Sequence, residues 1–245
     1  MIDIHTHILP AVDDGARNEA ESLLMLRAAI REGIHTIVAT PHYNRKHSLE
    51  KASILDKVEN LKQLAKNDQL KIDILPGQEI RLYGDLLEDY QAGKILTLAD
   101  NSNYMLIELP FKHVPQHTES LLHEIEAQGI KPVIVHPERN LEFLENPDKL
   151  YQLVAKGALT QLTTSSLIGY FGKNVQNFSR QLIERNWVHT IATDAHNTSD
   201  RPFNMSQAYE EIAKRYGVDY VSYFNGNARL MIEGKSVDVE RAQPF

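Results

Sequence analysis

Short runs rich in isoleucine and valine alternate with amphipathic segments along the whole chain, and this rhythm strongly limits the folds open to it. Apolar runs lie at residues 2–4, 36–40, 72–76, 104–107, 132–135, 160–162 and 190–193. Between the first two, residues 18–33 carry Leu23, Leu26, Ala29 and Ile30 at helical spacing, with Gly33 placed to end the helix. Residues 49–67, 86–91, 116–128, 150–156, 176–185 and 206–216 read as further helices. Strand–helix alternation of this kind predicts parallel strands joined by crossover helices, hence an α/β protein with a β/α barrel of seven readable strands. A length of 245 residues suits one such barrel. No linker or repeat divides the chain, so residues 1–245 are expected to form a single domain. The polar tail after Val237 is expected to be loosely held.

Composition removes several function classes. The chain has no cysteine, which excludes disulfides, thiolate metal sites and a cysteine nucleophile. A net charge of −7 speaks against generic nucleic-acid binding, which needs clustered Lys and Arg. No stretch reaches the roughly 18 apolar residues of a membrane span, and the first residues lack the basic and apolar regions of a signal peptide. A cytoplasmic location without membrane insertion is therefore expected.

Residues of metal-ligand type stand at the ends of the apolar runs. His5 and His7 follow the first run, His42 the second, Glu79 the third, Glu108 the fourth, His136 the fifth, and Asp194 with His196 the last. The C-terminal strand ends of a β/α barrel converge on one face, where active sites of this fold lie. His5-Thr-His7 and Asp194-Ala-His196 are spaced by two, so on extended strands both members of each pair point to one side. Asp13 and Asp14 lie in the loop after the first run, and spacing does not choose between them. Any one of these histidines alone is more simply a structural or surface residue; the joint placement is what points to a metal site. His35 and His189 precede their strands and are expected at the opposite end, without a catalytic role. His47, His117 and His123 read as solvated, while His113 is set apart from them. Tyr43, Phe111, Tyr170 and Phe171 can border the cleft or simply pack.

These motifs resemble the polymerase and histidinol phosphatase (PHP) family. Its four signatures stand here as His5-Thr-His7, Thr40-Pro-His42, His136 and Asp194-Ala-His196. MIDIHTHILPAVDDG, ATPH, GQEIR, LIELPF, VHPERN and ATDAHN, in this order, resemble more narrowly the metal-dependent protein tyrosine phosphatases of bacterial capsular and exopolysaccharide gene clusters. The match spans nearly the whole chain, with no departure at a ligand position. It implies an irregular, TIM-like barrel with three divalent ions, manganese first, with iron, zinc or magnesium as alternatives. By the same resemblance one ion takes His5, His7, Glu79 and Asp194, a second Glu79, Glu108 and His136, and a third Asp14, His42 and His196. Arg139 and Arg201 are the candidate catalytic residues, placed to fork onto phosphate oxygens.

Five neutral imidazoles and four carboxylates against three dications leave a charge of +2 at the implied site, matched to a phosphomonoester of about −1.5 to −2. The implied reaction is attack of a metal-bridging hydroxide on phosphorus without a covalent intermediate, consistent with the missing cysteine. Phenol has a pKa near 10 and leaves with little acid help, which favours an aryl ester over an alkyl one. The expected substrate is phosphotyrosine on a protein partner, the tyrosine-rich tail of a membrane-associated bacterial kinase. The alternative enzyme is a small-molecule phosphomonoesterase such as histidinol-phosphate phosphatase. The alternative outside catalysis is a barrel that keeps ions for stability or partner binding. Nothing in the sequence indicates the oligomeric state.

Overall fold

A computed structural model describes residues 1–244. Its strands are β1 (Ile2–Thr6), β2 (Thr36–Ala39), β3 (His42–Tyr43), β4 (Asp73–Pro76), β5 (Glu79–Arg81), β6 (Tyr104–Glu108), β7 (Lys131–Val135), β8 (Leu159–Thr163) and β9 (Thr190–Ala192). The helices are α1 (Glu19–Arg31), α2 (Lys51–Asn67), α3 (Leu86–Gln91), α4 (Thr118–Ala127), α5 (Leu141–Glu145), α6 (Asp148–Ala155), α7 (Thr164–Leu167), α8 (Lys173–Glu184), α9 (Met205–Tyr216) and α10 (Val218–Ile232).

All strand pairs are parallel, in the orders β1-β2-β4 and β3-β5-β6-β7-β8-β9. The nine strands make seven staves, as the apolar runs predict, because two staves break midway. β2 stops before Thr40-Pro41 and resumes as β3; proline has no N–H to give to a ladder. β4 stops before Gly77 and resumes as β5, and a Cβ at Gly77 would lie 2.7 Å from Val38 Cγ1. Backbone bonds from Thr40 N to Thr6 O (2.8 Å) and from Glu79 N to Pro41 O (3.1 Å) carry the ring across these breaks. The ring closes where Thr6 pairs with Ala195, flanked by Asp194 N donating to His5 O and His7 N to Ala195 O, both 2.9 Å. The result is the irregular β/α barrel expected from the motifs.

Period-two alternation separates two cores. Ile2, Ile4, Val38, Tyr104, Leu106, Val133, Val135, Leu159 and Ala192 form one cluster, which fills the barrel. Their strand neighbours Ile37, Met105, Ile107, Ile134, Leu162 and Ile191 belong to the cluster shared with the surrounding helices. The register slips between Asp3 and Thr6 of β1, where three residue steps face two on β2. Such a bulge re-aims side chains, and it brings His5 against Gln161 of β8.

Two expectations fail below the barrel. The sequence reading missed α10, whose Phe224, Asn227, Ala228 and Met231 are buried; Ala228 and Met231 join the barrel-filling cluster. Asn225, Gly226 and Asn227 depress its helix propensity, and only the packing site recovers it. The tail after Val237 is strapped down rather than loose. Asn227 Nδ2 donates to Asp238 O and Asp238 N donates back to Asn227 Oδ1, both 2.9 Å. Further along, Gln243 N donates to Arg185 O (2.9 Å) and Trp187 Nε1 to Gln243 O (2.8 Å).

Candidate metal centre

The upper strand ends bring all nine expected ligands together. Potential ligand atoms lie within 4.8 Å of one another in four overlapping groups: His5 with His7 and Asp194; His5 with Glu79 and His136; His42 with Glu79 and Glu108; and His7 with Asp14, His42 and His196. His5 Nε2 and His7 Nε2 are 3.3 Å apart, and Glu79 Oε2 is 3.4 Å from each. Asp194 Oδ1 completes this set at 3.5 and 3.3 Å. Bonds of about 2.1 Å in a tetrahedral site imply ligand-to-ligand edges of about 3.4 Å, so the four atoms have the spacing of a shell around one ion.

Three of the inward-facing ligand atoms lack a hydrogen-bond partner. His42 Nδ1 and Glu79 Oε2 approach to 2.7 Å, yet neither makes a hydrogen bond of proper geometry, and buried His196 Nε2 likewise has none. Buried polar atoms are normally satisfied, so this donor set fits divalent ions. Imidazole and carboxylate without thiolate suit manganese, iron, zinc or magnesium.

Outer hydrogen bonds fix which ring nitrogen faces inward. His7 Nδ1–H donates to Asp13 Oδ2 (2.8 Å), His5 Nδ1–H to Gln161 Oε1 (2.8 Å) and His196 Nδ1–H to Asp194 O (2.9 Å). Each turns Nε2 toward the cluster. The two aspartates face different ways. Asp13 sits behind His7 and also accepts from His42 N (3.0 Å) and Gly15 N (2.9 Å). Asp14 Oδ1 faces His42 Nε2 at 3.3 Å and His196 Nε2 at 3.4 Å. Gly15 is required for this turn, since a Cβ there would lie 2.1 Å from His7 O.

The pairs do not converge in the same way. His5 lies on β1, but Asp194 lies beyond β9 with φ 53°, so its pair is not an extended strand as the spacing argument assumed. His136 has φ 38°. Left-handed backbone at two non-glycine residues costs on the order of 1–3 kcal/mol each and concentrates at functional sites.

The charges interlock. The close approach of His196 and His42 holds Asp14 well below the usual carboxylate range. Burial would raise Glu79, but His42 and His5 hold it far below its ordinary value. Burial would lower His42, but Glu79 and Asp14 push it up to about 10. Burial, aided by Arg139, lowers His136 to about 3, and burial, aided by His7, lowers His196 to about 4. Burial and the neighbouring Glu79 raise Glu108. Asp14, Glu79 and Asp194 are held anionic and His136 and His196 neutral, the states in which they bind metal, whereas the surrounding acids push His7 and His42 up.

Arg139 Nη2 and Arg201 Nη2 converge on Asp194 Oδ2 at 2.5 and 2.7 Å. They border a cavity of about 440 Å³ whose lining also includes Asp14, His42, Glu79, Glu108, His136 and Asp194. Phe111 and Phe171 line it as well. Tyr43 instead points to Asp89, and Tyr170 lies edge-on to Phe171. His35 and His189 sit at the opposite strand ends, as expected. His47 is not simply solvated: it is half-buried, donates from Nδ1 to Val12 O (3.2 Å) and stacks over His42 at 6.2 Å. His113, set apart in the sequence reading, is exposed like His117 and His123.

Sequence reasoning passed over the residues that hold others in place. Arg81 Nε donates to Glu108 Oε2 (2.8 Å) and lines the cavity; its signal was its place two residues after Glu79 on β5. Buried Glu138 accepts from Thr163 N (3.1 Å) and Ser166 Oγ (2.6 Å), tying the Arg139 turn to the end of β8. Gln161 carried no signal that separates it from ordinary polar residues, and Asp13 was singled out only as the alternative to Asp14.

A parallel β/α barrel with this imidazole and carboxylate cluster at its C-terminal strand ends is a metal-site barrel of the PHP type. The chain belongs to the capsular polysaccharide synthesis CpsB/CapC family, whose model matches residues 1–233. It is 43% identical over 245 residues to the tyrosine-protein phosphatase YwqE of Bacillus subtilis, covering 100% of this chain and 96% of that protein. It is 37% identical over 224 residues to the tyrosine-protein phosphatase CpsB of Streptococcus pneumoniae, covering 89% and 91%. A crystal structure described among YwqE and CpsB as unique metal-dependent tyrosine phosphatases superposes with a TM-score of 0.98 at 43% identity, covering 100% of this chain and 99% of its own. Among the described residues, no helix is long and apolar enough to cross a membrane.

Proposed function

We propose that residues 1–245 form a single-domain, metal-dependent protein tyrosine phosphatase that hydrolyses phosphotyrosine on a bacterial tyrosine kinase or its targets and so regulates capsular or exopolysaccharide synthesis. The observation that carries this reading is the pairing of a nine-residue ligand set with two guanidinium groups at its edge. Names borne by relatives at 43% and 37% identity support the same activity.

Three ions, manganese first, would be held by His5, His7, Glu79 and Asp194; by Glu79, Glu108 and His136; and by Asp14, His42 and His196. Bound there, divalent ions supply Lewis acidity and lower the pKa of coordinated water toward about 7. The chain's own groups do the rest. Arg139 and Arg201 leave Asp194 to grip phosphoryl oxygens, a geometry that lysine does not reproduce. Asp13 and Gln161 keep His7 and His5 in the tautomer that presents Nε2. A phenolate leaving group, with a pKa near 10, needs no dedicated acid.

The test is phosphate release from a phosphotyrosine peptide and from histidinol phosphate, each with manganese and with chelator. Chelator-sensitive release that favours the peptide is expected. Equal or better use of histidinol phosphate would move the assignment to a small-molecule phosphatase, and no metal-dependent release would favour a binding barrel.

A further inference from the structure

Part of the cavity lining is carbon: Leu109, Phe111 and Phe171 share it with six of the expected ligands and with Arg81, Arg139 and Arg201. A phosphate group alone has no use for such a wall. The ring of one phenylalanine and the backbone of the other are held in place. The Phe171 ring lies under the Arg139 guanidinium, with Cζ 5.2 Å from the ring centroid, and Tyr170 meets it edge-on at 5.4 Å and 87°. Phe111 is 57% exposed where it lines the cavity, so its ring is open to a ligand. Its backbone is nonetheless pinned: Asn140 Nδ2 donates to Pro110 O (2.8 Å) and His113 O (3.4 Å), and Leu141 N donates to Phe111 O (3.0 Å). Asn140 also caps α5 through Phe143 N (3.0 Å), and it directly follows Arg139. One asparagine thus ties the position of Phe111 to that of a phosphate-facing guanidinium.

We infer that Phe111 and Phe171 are specificity-determining residues that hold the aryl ring of the substrate ester, with Asn140 as the positioning residue that sets the distance between ring contact and phosphate contact. The inference rests on the phosphatase reading above and names the chemistry of its leaving group. Aromatic rings stack by offset or edge contact, and the phenyl ring of an ester whose phosphate meets Arg139 and Arg201 shares one cavity with these two side chains. An alkyl ester of similar size would leave both uncovered.

The test compares Phe111→Ala, Phe171→Leu and the double variant with the parent, all loaded with manganese. For each, kcat/KM is measured on phenyl phosphate and on glycerol phosphate. The aryl-to-alkyl ratio is expected to fall about 10-fold in the double variant, with glycerol phosphate losing much less than phenyl phosphate. Calorimetry of the non-hydrolysable phenylphosphonate and methylphosphonate gives a readout without turnover; the parent should prefer the phenyl compound and the double variant should not. Asn140→Ala should raise KM for phenyl phosphate more than it lowers kcat. Phe111 is exposed, so Phe111→Ala keeps the comparison open even if Phe171→Leu folds poorly. An unchanged ratio in Phe111→Ala and the double variant, or equal loss on both esters, overturns the inference while leaving the phosphatase reading intact. A parent that hydrolyses no ester yet prefers phenylphosphonate, with the preference lost in the double variant, overturns the phosphatase reading and supports the ring site.

Discussion

Asp13 Oδ2 accepts a hydrogen bond from His7 Nδ1 at 2.8 Å, while its neighbour Asp14 turns the other way, toward His42 and His196. Two adjacent acids therefore have separate tasks, one orienting an imidazole and the other presenting an oxygen to the cluster. Asp13→Asn should retain the fold but lower manganese affinity by roughly 10–100-fold, the usual cost of losing a carboxylate behind a metal-binding histidine. Asp14→Ala should instead lower the number of ions bound. Metal titration followed by elemental analysis separates the two, and equal ion counts with equal affinity in both variants would contradict the division.

His136→Ala and Glu79→Ala should each abolish chelator-sensitive hydrolysis of 4-nitrophenyl phosphate. His189→Gln should leave turnover within a few-fold of the parent, because His189 lies at the opposite strand ends and only accepts Thr160 N–H at Nδ1 (3.0 Å). If His189→Gln matched His136→Ala in damage, the separation of the two barrel ends would be wrong.

His189 also supplies a pH signature. Burial lowers it from 6.5 to about 4, so the folded protein keeps it neutral where the unfolded chain would protonate it. Its contribution to stability is complete above about pH 6.5 and is lost as pH falls toward 4, at a slope approaching about 1.4 kcal/mol per pH unit. Denaturant titrations of the parent and His189→Gln across this range should differ by that slope. Parallel curves would contradict it.

Gly15→Ala should cost more than an ordinary surface substitution, because the new methyl would meet His7 O at 2.1 Å. The loop carrying Asp13 and Asp14 must shift, so both metal affinity and thermal midpoint should fall. An unchanged metal affinity would show that the turn has slack the structure does not suggest.

How much of this was legible in advance follows from the physics of each element. Buried strands announce themselves as apolar runs, so seven staves and the ligands at their ends could be read from residues such as Ile2, Val38 and Val133. The breaks at Pro41 and Gly77 were written in the sequence but have meaning only once strands are paired. Helix α10 was missed because Asn225 to Asn227 suit a loop until Ala228 and Met231 find the barrel to fill. The pairing of Asp194 with His196 was found for an incomplete reason, since a left-handed residue rather than an extended strand aims it. Gln161, Asn140 and Glu138 act through hydrogen bonds to chain segments about 25 or more residues away, as Asp13 does at His42 N, and no local pattern encodes such contacts.

The most direct measurement is elemental analysis of the purified protein paired with phosphate release from a phosphotyrosine peptide before and after chelation. The account predicts divalent ions bound in a ratio approaching three per chain, with release lost on chelation and restored by manganese. Protein that binds no divalent ion when manganese is supplied, or that releases phosphate equally well in chelator, would contradict it.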